Sequence, residues 1–466
     1  MHHRWIPSIL RFRKATGDGA RRSGGIDMTR GPILGSMVRL GTPVFIASVF
    51  EGLHAAVNMF WLGRLPDAAL AMNAPVITFQ ILFLAASMGV GISQAGAALA
   101  GQARGAGKLE VIPSIAAHVV LILVMYFGVV VLAGEMWSHQ ILGMIKTPAD
   151  SYADVHTYFR IVTAGMAPVC FVFAFRALSQ GLGDTKTPML VDTVAILLNM
   201  VLDPLLIFGL GWGVRGAAYA TVIARGVASL WALRLLMDRR GPFKVSPWGW
   251  RPSRPMLATL ARIGIPSGLG MSGSSLGFAV ITRLVASHGA VPVAAFGLAS
   301  RMFQLCMLPS MAAVSAVTTT VAQCLGAGDS QRARKAVRVG LLALPSALLV
   351  PMILLMLAGK PVARLFTHDE AVVQLAHRTL VVAGPSPVLF AGQSILQGAF
   401  QGGGVTVYVM IAAFLRLWGV RVPFAYLLEP RFGLDAVWAS MVVSNLAALV
   451  FLAIGYARGL WMRRQI

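Results

Sequence analysis

A chain of 466 residues that is 57% hydrophobic and only 12% charged, with a mean hydropathy of +0.74, would expose far more apolar surface than a water-soluble domain tolerates. Apolar stretches of about 20 residues recur along its whole length, as a bilayer core of about 30 Å demands of a helix; the composition therefore excludes a soluble protein and predicts an all-α integral membrane fold with the lipid bilayer as its partner. The formal charge of +22 invites a nucleic-acid reading, but the basic residues are spread through loops rather than gathered in one soluble patch, so no nucleic-acid partner is expected.

In chain order, residues 1–34 read as a cytoplasmic N-terminal tail. Arg4, Arg11, Arg13, Lys14, Arg21 and Arg22 accompany no apolar core long enough for a cleaved signal. The first 27 residues are expected to be a disordered tail or an artefact of start-codon choice, with Met28-Thr29-Arg30 as an alternative start. Apolar runs broken by Gly, Pro and charge clusters then predict twelve transmembrane helices. Their centres lie near residues 50, 86, 122, 170, 200, 226, 272, 308, 346, 388, 416 and 446. Six fall in an N-lobe, 35–238, and six in a C-lobe, 257–457. Between them a basic, Pro- and Trp-rich stretch at 239–256 reads as a cytoplasmic linker, and 458–466 form a C-terminal tail. Arg104, Lys108, Lys186, the linker, Arg332, Arg334, Lys335, Arg338, Arg458, Arg463 and Arg464 share one side of the membrane, while the opposite loops hold fewer basic residues. The positive-inside rule then puts both termini in the cytoplasm, in a multi-pass protein of the plasma (inner) membrane. Cys170, Cys306 and Cys324 lie in or beside apolar spans without metal-binding spacing and read as packing residues.

The sequence repeats itself. Arg39-Leu40-Gly41-Thr42-Pro43 recurs as Arg262-Ile263-Gly264-Ile265-Pro266. Ala100-Gly101-Gln102-Ala103-Arg104-Gly105-Ala106-Gly107 returns around Gln323, Gly326 and Gly328, and Ser179-Gln180-Gly181-Leu182-Gly183 returns as Phe400-Gln401-Gly402-Gly403-Gly404. Six helices between copies give both halves the same orientation, so a pseudo-two-fold axis along the membrane normal relates them. Parallel repeats of this kind are a transporter architecture, with the substrate path between the halves and alternating access by rocking.

One segment breaks the apolar pattern sharply. Asn199 and Asp203 stand four residues apart, on one helix face, in an otherwise apolar run. A carboxylate at the centre of a span costs roughly 2.5–3.5 kcal/mol on insertion scales, so its retention points to use.

Gly41-Thr42-Pro43, Trp61-Leu62-Gly63-Arg64-Leu65 leading into Ala68-Ala69-Leu70-Ala71, Gln180 through Pro188, Asn199 through Pro204, and Gly213-Val214-Arg215-Gly216-Ala217-Ala218 together resemble the multidrug and toxic compound extrusion (MATE) transporters. The resemblance covers residues 35 to 457. It implies a secondary antiporter, expected as a monomer, that expels small organic compounds, often cationic, against an inward flow of protons or sodium ions and needs no cofactor beyond that gradient. In one branch of the family the ion site lies in the N-lobe, built from an Asp on the first helix, an Asn and an Asp on the fifth, and a Thr on the sixth. Asn199 and Asp203 match the fifth-helix pair, Thr221 matches the hydroxyl, and Asn58 stands where the first-helix Asp is expected. Tyr158 resembles an aromatic position lining the N-lobe.

Losing one carboxylate weakens a sodium site at Asp203, Asn199, Asn58 and Thr221 more than it weakens protonation of the remaining acid, because low dielectric favours a neutral carboxyl. The reading therefore leans to protons. On the first helix Glu51, His54 and Asn58 recur at i, i+3 and i+7, within one face, and Glu51 lies two turns, roughly 10 Å, from Asn58. We expect a proton-accepting wall of Glu51 and Asp203, oriented by Asn58, Asn199, Thr221 and His54, with His54 and Tyr158 beside the substrate cavity. Each has a plainer reading: Glu51 as a structural acid, His54 as a hydrogen-bonded core histidine, Asn58 as a tie between helices. Asp192 reads as interfacial. Pro204, next to Asp203, permits a kink.

The C-lobe counterpart keeps Pro423 but carries Val422 in place of Asp203, and no mid-span carboxylate is found there; Arg283, Arg301, Arg416 and Arg421 lie in or near its spans instead. A lipid-precursor flippase of the wider superfamily remains the principal rival. A membrane-embedded prenyltransferase would need clustered acids for magnesium, and Asp150 with Asp154 in a loop does not supply them. The chain has no GxxxxGK[ST] loop, so no ATP is expected.

Overall fold

The computed structural model describes residues 25–246 and 251–465. Residues 1–24 of the expected tail, Pro247-Trp248-Gly249-Trp250 of the expected linker and the last residue lie outside the described residues. The described chain is helical throughout. The first half folds as α1 (Ile33–Leu62), α2 (Ala68–Gly105), α3 (Ile112–Met136), the short α4 (Ser138–Met144), α5 (Tyr152–Ala164), α6 (Val169–Gly181), α7 (Lys186–Pro204) and α8 (Gly213–Met237). The second half answers with α9 (Arg254–Ala286), α10 (Ala290–Ala327), α11 (Ser330–Leu357), the short α12 (Gly359–Arg364), α13 (Glu370–Ala383), α14 (Pro385–Gly402), α15 (Thr406–Phe414), α16 (Val422–Phe432) and α17 (Leu434–Ala457).

Among the described residues ten spans are long and apolar enough to cross a bilayer, and counting each of two bent pairs as one span gives twelve. The expected centres near 170 and 388 fall beside the two bends. There α5 and α6 meet at 55° and α13 and α14 at 42°. Both breaks have the same cause: Gly165 and Pro168 in one and Gly384 and Pro385 in the other, since proline cannot donate into the preceding turn. A second pair of irregularities follows the same repeat. α7 ends in a π-helical turn, Leu205–Gly209, and α15 passes into α16 through another, Leu415–Arg421. In the first, the Leu210 amide donates to the Leu205 carbonyl at 3.0 Å, a five-residue reach that follows directly on Pro204. The duplication is thus visible in the defects of the helices as well as in their order.

The two central helices, α2 and α10, are 38 residues each. The lobes meet along them, and along α1 and α9, at the end of the molecule that carries both described termini. There the repeated motifs bind each other reciprocally. Gln102 Nε2 donates to the Gly402 carbonyl at 3.0 Å, and Gln323 Nε2 to the Gly181 carbonyl at 3.0 Å. Gly105 and Gly326 allow the close approach, since a Cβ on either would strike the backbone carbonyl of Gln323 or Gln102. Farther up, Ser87 and Ser272 share a hydrogen bond. Toward the opposite end the same helices turn large apolar side chains outward, with Phe79 65% and Leu305 69% exposed.

Both described chain ends pack against the body of the molecule. Met28 is 1% exposed, and its amide donates to Gln323 Oε1 at 2.9 Å while Arg332 Nε donates to its carbonyl at 2.9 Å. At the other terminus Trp461 is 1% exposed, and the Gln465 amide donates to Gln102 Oε1 at 2.8 Å. Residues 25–32 and 458–465 therefore belong to the folded body, because their apolar side chains have a seam to fill. The three cysteines are free thiols, Cys170 and Cys324 buried and Cys306 half-buried.

Candidate functional site: a polar cavity in the first lobe

Helices α1, α2, α6, α7 and α8 enclose a cavity of about 380 Å³ whose lining residues all fall between Pro43 and Ala228. Its walls are largely apolar, and its polar groups are few. Glu51 and His54 come from α1, Arg176 from α6, Asp192 and Asn199 from α7, and Thr221 and Arg225 from α8. The 3.6-residue period of α7 puts Asp192, Asn199 and Asp203 on one side of the helix, and packing against α1 and α8 turns that side inward.

At one end of the cavity His54 Nε2 and Asn199 Oδ1 are 2.5 Å apart, joining α1 to α7. Asn199 Nδ2 in turn lies 3.4 Å from Thr221 Oγ1, whose hydroxyl donates to the Ala217 carbonyl at 3.0 Å. One turn beyond Asn199 sits Asp203, 0% exposed. Asn58 Nδ2 donates to its Oδ2 at 3.2 Å, and its Oδ1 is buried with no hydrogen-bond partner. Five of the residues anticipated from sequence, Asp203, Asn199, Asn58, Thr221 and His54, therefore do converge.

Two others stand elsewhere. Glu51 lines the cavity but shares no wall with Asp203, which lies behind the His54–Asn199 pair and does not line the cavity. The expected single wall is instead a chamber with an acid at its side and a second acid sealed beyond its end. Tyr158 likewise does not line the cavity. It is 6% exposed in the core under α5, with its hydroxyl toward Thr221. Asp192 lines the cavity and pairs with Arg176 at 2.6 Å, its side chain 14% exposed.

Arg176 and Arg225 were missed because basic residues were counted as markers of loops; each stands within an apolar run, and that position was the available signal. Chemically the chamber carries two acids and two guanidiniums, so it offers an amphiphilic guest both apolar surface and charge of either sign. Among the described residues no group of three or more His, Cys, Asp or Glu side chains is arranged to hold a metal ion.

Twelve spans in two repeated lobes, joined across a seam of reciprocal hydrogen bonds, with a polar chamber inside a lobe, define the fold of a membrane transporter. The MatE family model matches the chain twice, over residues 43–205 and 266–427, and the chain belongs to this family, the multidrug and toxic compound extrusion transporters. It is 27% identical over 442 residues to the probable multidrug resistance protein YoeA of Bacillus subtilis (strain 168), covering 92% of this chain and 95% of that protein. It is 28% identical over 448 residues to the probable multidrug resistance protein YpnP of the same organism, covering 94% and 98%. Among solved structures, a crystal structure of MATE in the bent conformation superimposes with a TM-score of 0.87 at 23% identity, covering 96% of this chain and 99% of that one. The chain is accordingly a multi-pass membrane transporter and not an enzyme.

Proposed function

We propose that the chain is a proton-driven antiporter that exports organic compounds, cationic or amphiphilic, with Asp203 as the proton site. The multidrug resistance names of its relatives support the substrate class. The arrangement around Asp203 carries the proton reading. A buried, ionised carboxylate without a cation beside it costs several kcal/mol, and Asp203 has one oxygen held by Asn58 and one with no partner. A single proton on that free oxygen removes the charge.

Sodium fits the same residues less well. Asn58 turns its amide nitrogen toward the carboxylate, and Asn199 Oδ1 is taken by His54. Asp203 Oδ1 is the buried carboxylate oxygen of the expected site with no hydrogen-bond partner. The route from the chamber to Asp203 passes the His54–Asn199 pair, and an imidazole can accept a proton on one nitrogen and release it from the other. Glu51, open to the chamber, supplies the acid on its near side. The excess of basic residues on the terminal side supports cytoplasmic termini in the plasma (inner) membrane, and the lobes, joined through 239–256, rock to alternate access. We take the monomer as the working unit.

The test is export of a fluorescent organic cation from proteoliposomes, driven separately by a proton and by a sodium gradient. Proton-driven export is expected to fall to the protein-free rate in Asp203→Asn and to drop several-fold in Glu51→Gln, with no response to sodium. Wild-type rates in both variants would sink the assignment; sodium-driven export would move it to the other ion, and silence under both gradients would favour a lipid-precursor flippase.

A further inference from the structure

The second lobe carries charge of the opposite sign at the matching depth. Its acids are Asp329, Asp369, Glu370, Glu429 and Asp435, all near helix ends and all engaged. Asp329 and Asp369 accept backbone amides at the starts of α11 and α13. Glu370 pairs with Arg364 at 2.8 Å, Glu429 with His288 at 2.8 Å, and Asp435 with Arg378. None is left for the interior.

Inside that lobe, Arg416 and Arg421 both lie on the π-helical stretch Leu415–Arg421. Arg421 is 7% exposed. Its Nε donates to Ser444 Oγ at 3.0 Å and its Nη2 to Asn445 Oδ1 at 3.2 Å. Both partners are neutral, and Asn445 is itself fixed by donating to the Ser386 carbonyl at 3.0 Å and hydroxyl at 2.8 Å. Arg416 is half-buried, with its guanidinium 5.2 Å from the centre of the Phe390 ring and a buried Nε that has no hydrogen-bond partner.

The repeat gives this place a meaning. Aligning Pro423 with Pro204 sets Trp418 against Asn199 and Ser440 against Thr221. Trp418 Nε1 donates to the Gly273 carbonyl at 3.0 Å, tying this span to α9 as Asn199 ties α7 to α1. The arginines thus occupy the C-lobe neighbourhood that corresponds to the acid site. Hydroxyl and amide oxygens satisfy the donors of Arg421 but not its charge, and a buried cation without a counter-charge persists only at a cost. Guanidinium forks match carboxylate and phosphate oxygens in pairs. Phe414 and Trp418, 39% and 40% exposed on the same stretch, offer an aromatic flank to an apolar guest.

We propose that Arg416 and Arg421 form an anion site in the C-lobe that takes the carboxylate or phosphate group of an amphiphilic organic molecule. Only its place on an export route rests on the function proposed above; the binding itself does not. The same chemistry is presented by a soluble organic anion and by a phospholipid headgroup.

The experiment is calorimetric titration of the purified full-length chain in phosphatidylcholine nanodiscs, without any ion gradient, using 2-naphthoate and its uncharged amide as probes. Wild type is expected to bind the acid at least tenfold more tightly than the amide. Arg421→Gln and Arg416→Gln should each bring that ratio close to one. Should Arg421→Gln fail to fold, the half-buried Arg416 carries the test alone. Repeating the wild-type titration in phosphatidylglycerol nanodiscs separates the sources. Loss of naphthoate binding there assigns the site to a lipid headgroup, and unchanged affinity assigns it to a soluble anion; either upholds an anion site. Equal affinity for acid and amide in wild type, or a ratio unmoved in both variants, overturns it. Loss of proton-driven export in Asp203→Asn would not alter the ratio, so the two readings fail separately.

Discussion

Alanine in place of Gly91 probes the closed end of the molecule directly. A Cβ at this position of α2 would stand 2.3 Å from the Gly268 nitrogen and 2.4 Å from the Gly264 oxygen, where ordinary contact begins at 3.4 Å. These are backbone atoms of α9 in the other lobe, so no side chain can rotate away, and the two helices must part by about 1 Å. Overpacking of this kind costs about 1–3 kcal/mol. The cost falls on the present conformation alone, because a state whose lobes have separated at this end has no such contact to violate. The conformational equilibrium should then move about 5- to 150-fold toward that state. Spin labels at Asp67→Cys and Ala290→Cys, both exposed at the starts of α2 and α10, report the change by pulsed electron resonance. Cys306→Ala removes the half-buried thiol, and Cys170 and Cys324 are buried. Gly91→Ala should enrich the short label-to-label distance, while Gly226→Ala, with no atom within 4 Å of its Cβ, should leave the distribution alone. Identical distributions in wild type and a folded Gly91→Ala protein would refute the account of the closed end.

Gln323→Ala removes the bond to the Gly181 carbonyl and the bond from the Met28 amide; at a net 0.5–1.5 kcal/mol each, hydrogen exchange at the Met28 amide should accelerate about 5- to 150-fold, and unchanged protection would show that the seam holds without this side chain. Asn58→Asp places a second carboxylate beside Asp203 and supplies the charge whose absence disfavours sodium. It should confer a sodium-dependent rise in melting temperature, measured against potassium, that wild type lacks; equal shifts in both proteins would show that Asn58 does not select the ion.

The fold was legible because bilayer thickness sets the length of apolar runs, and each of the twelve expected centres falls in a span or beside its bend. The bends were not. Pro168 and Pro385 break α-helices inside runs that remain apolar throughout, so hydropathy sees one segment where the backbone makes two. In the site, helical period correctly put Asn199 with Asp203 and Glu51 with His54 and Asn58, because a face is a property of one helix. How far two faces overlap is a property of packing. The docking of α1 on α7 brings His54 to Asn199 and Asn58 to Asp203 but leaves Glu51 in the open chamber. The Arg176–Asp192 pair escaped for a related reason, since its partners are 16 residues apart across a loop. Met28 and Trp461 looked like tail residues because each is nearly isolated in sequence, and only the surface they cover makes them core.

Duplication has had opposite outcomes at the two ends of this molecule. At the closed end it is preserved as a reciprocal latch: the glutamine of each lobe holds the glycine turn of the other, and the acceptor oxygens of Gln323 and Gln102 take an amide from the N-terminal and the C-terminal segment respectively. In the lobe interiors it has diverged in charge, with Asp203 in one and Arg421 in the other. The magnitudes make this division workable. Four hydrogen bonds at a net 0.5–1.5 kcal/mol each amount to about 2–6 kcal/mol, while reversing a two-state population from 1:99 to 99:1 takes about 5.5 kcal/mol. These four bonds are of the same order as that shift and act beside the Ser87–Ser272 bond, the Thr319 bond to the Gln180 carbonyl and the packing of α2 on α9. A symmetric latch gives neither lobe precedence in opening, so any order of events must originate in the interiors, where the lobes differ. Neutralising Asp203 and filling the arginine pair act on separate lobes, and each would bias the same seam from its own side.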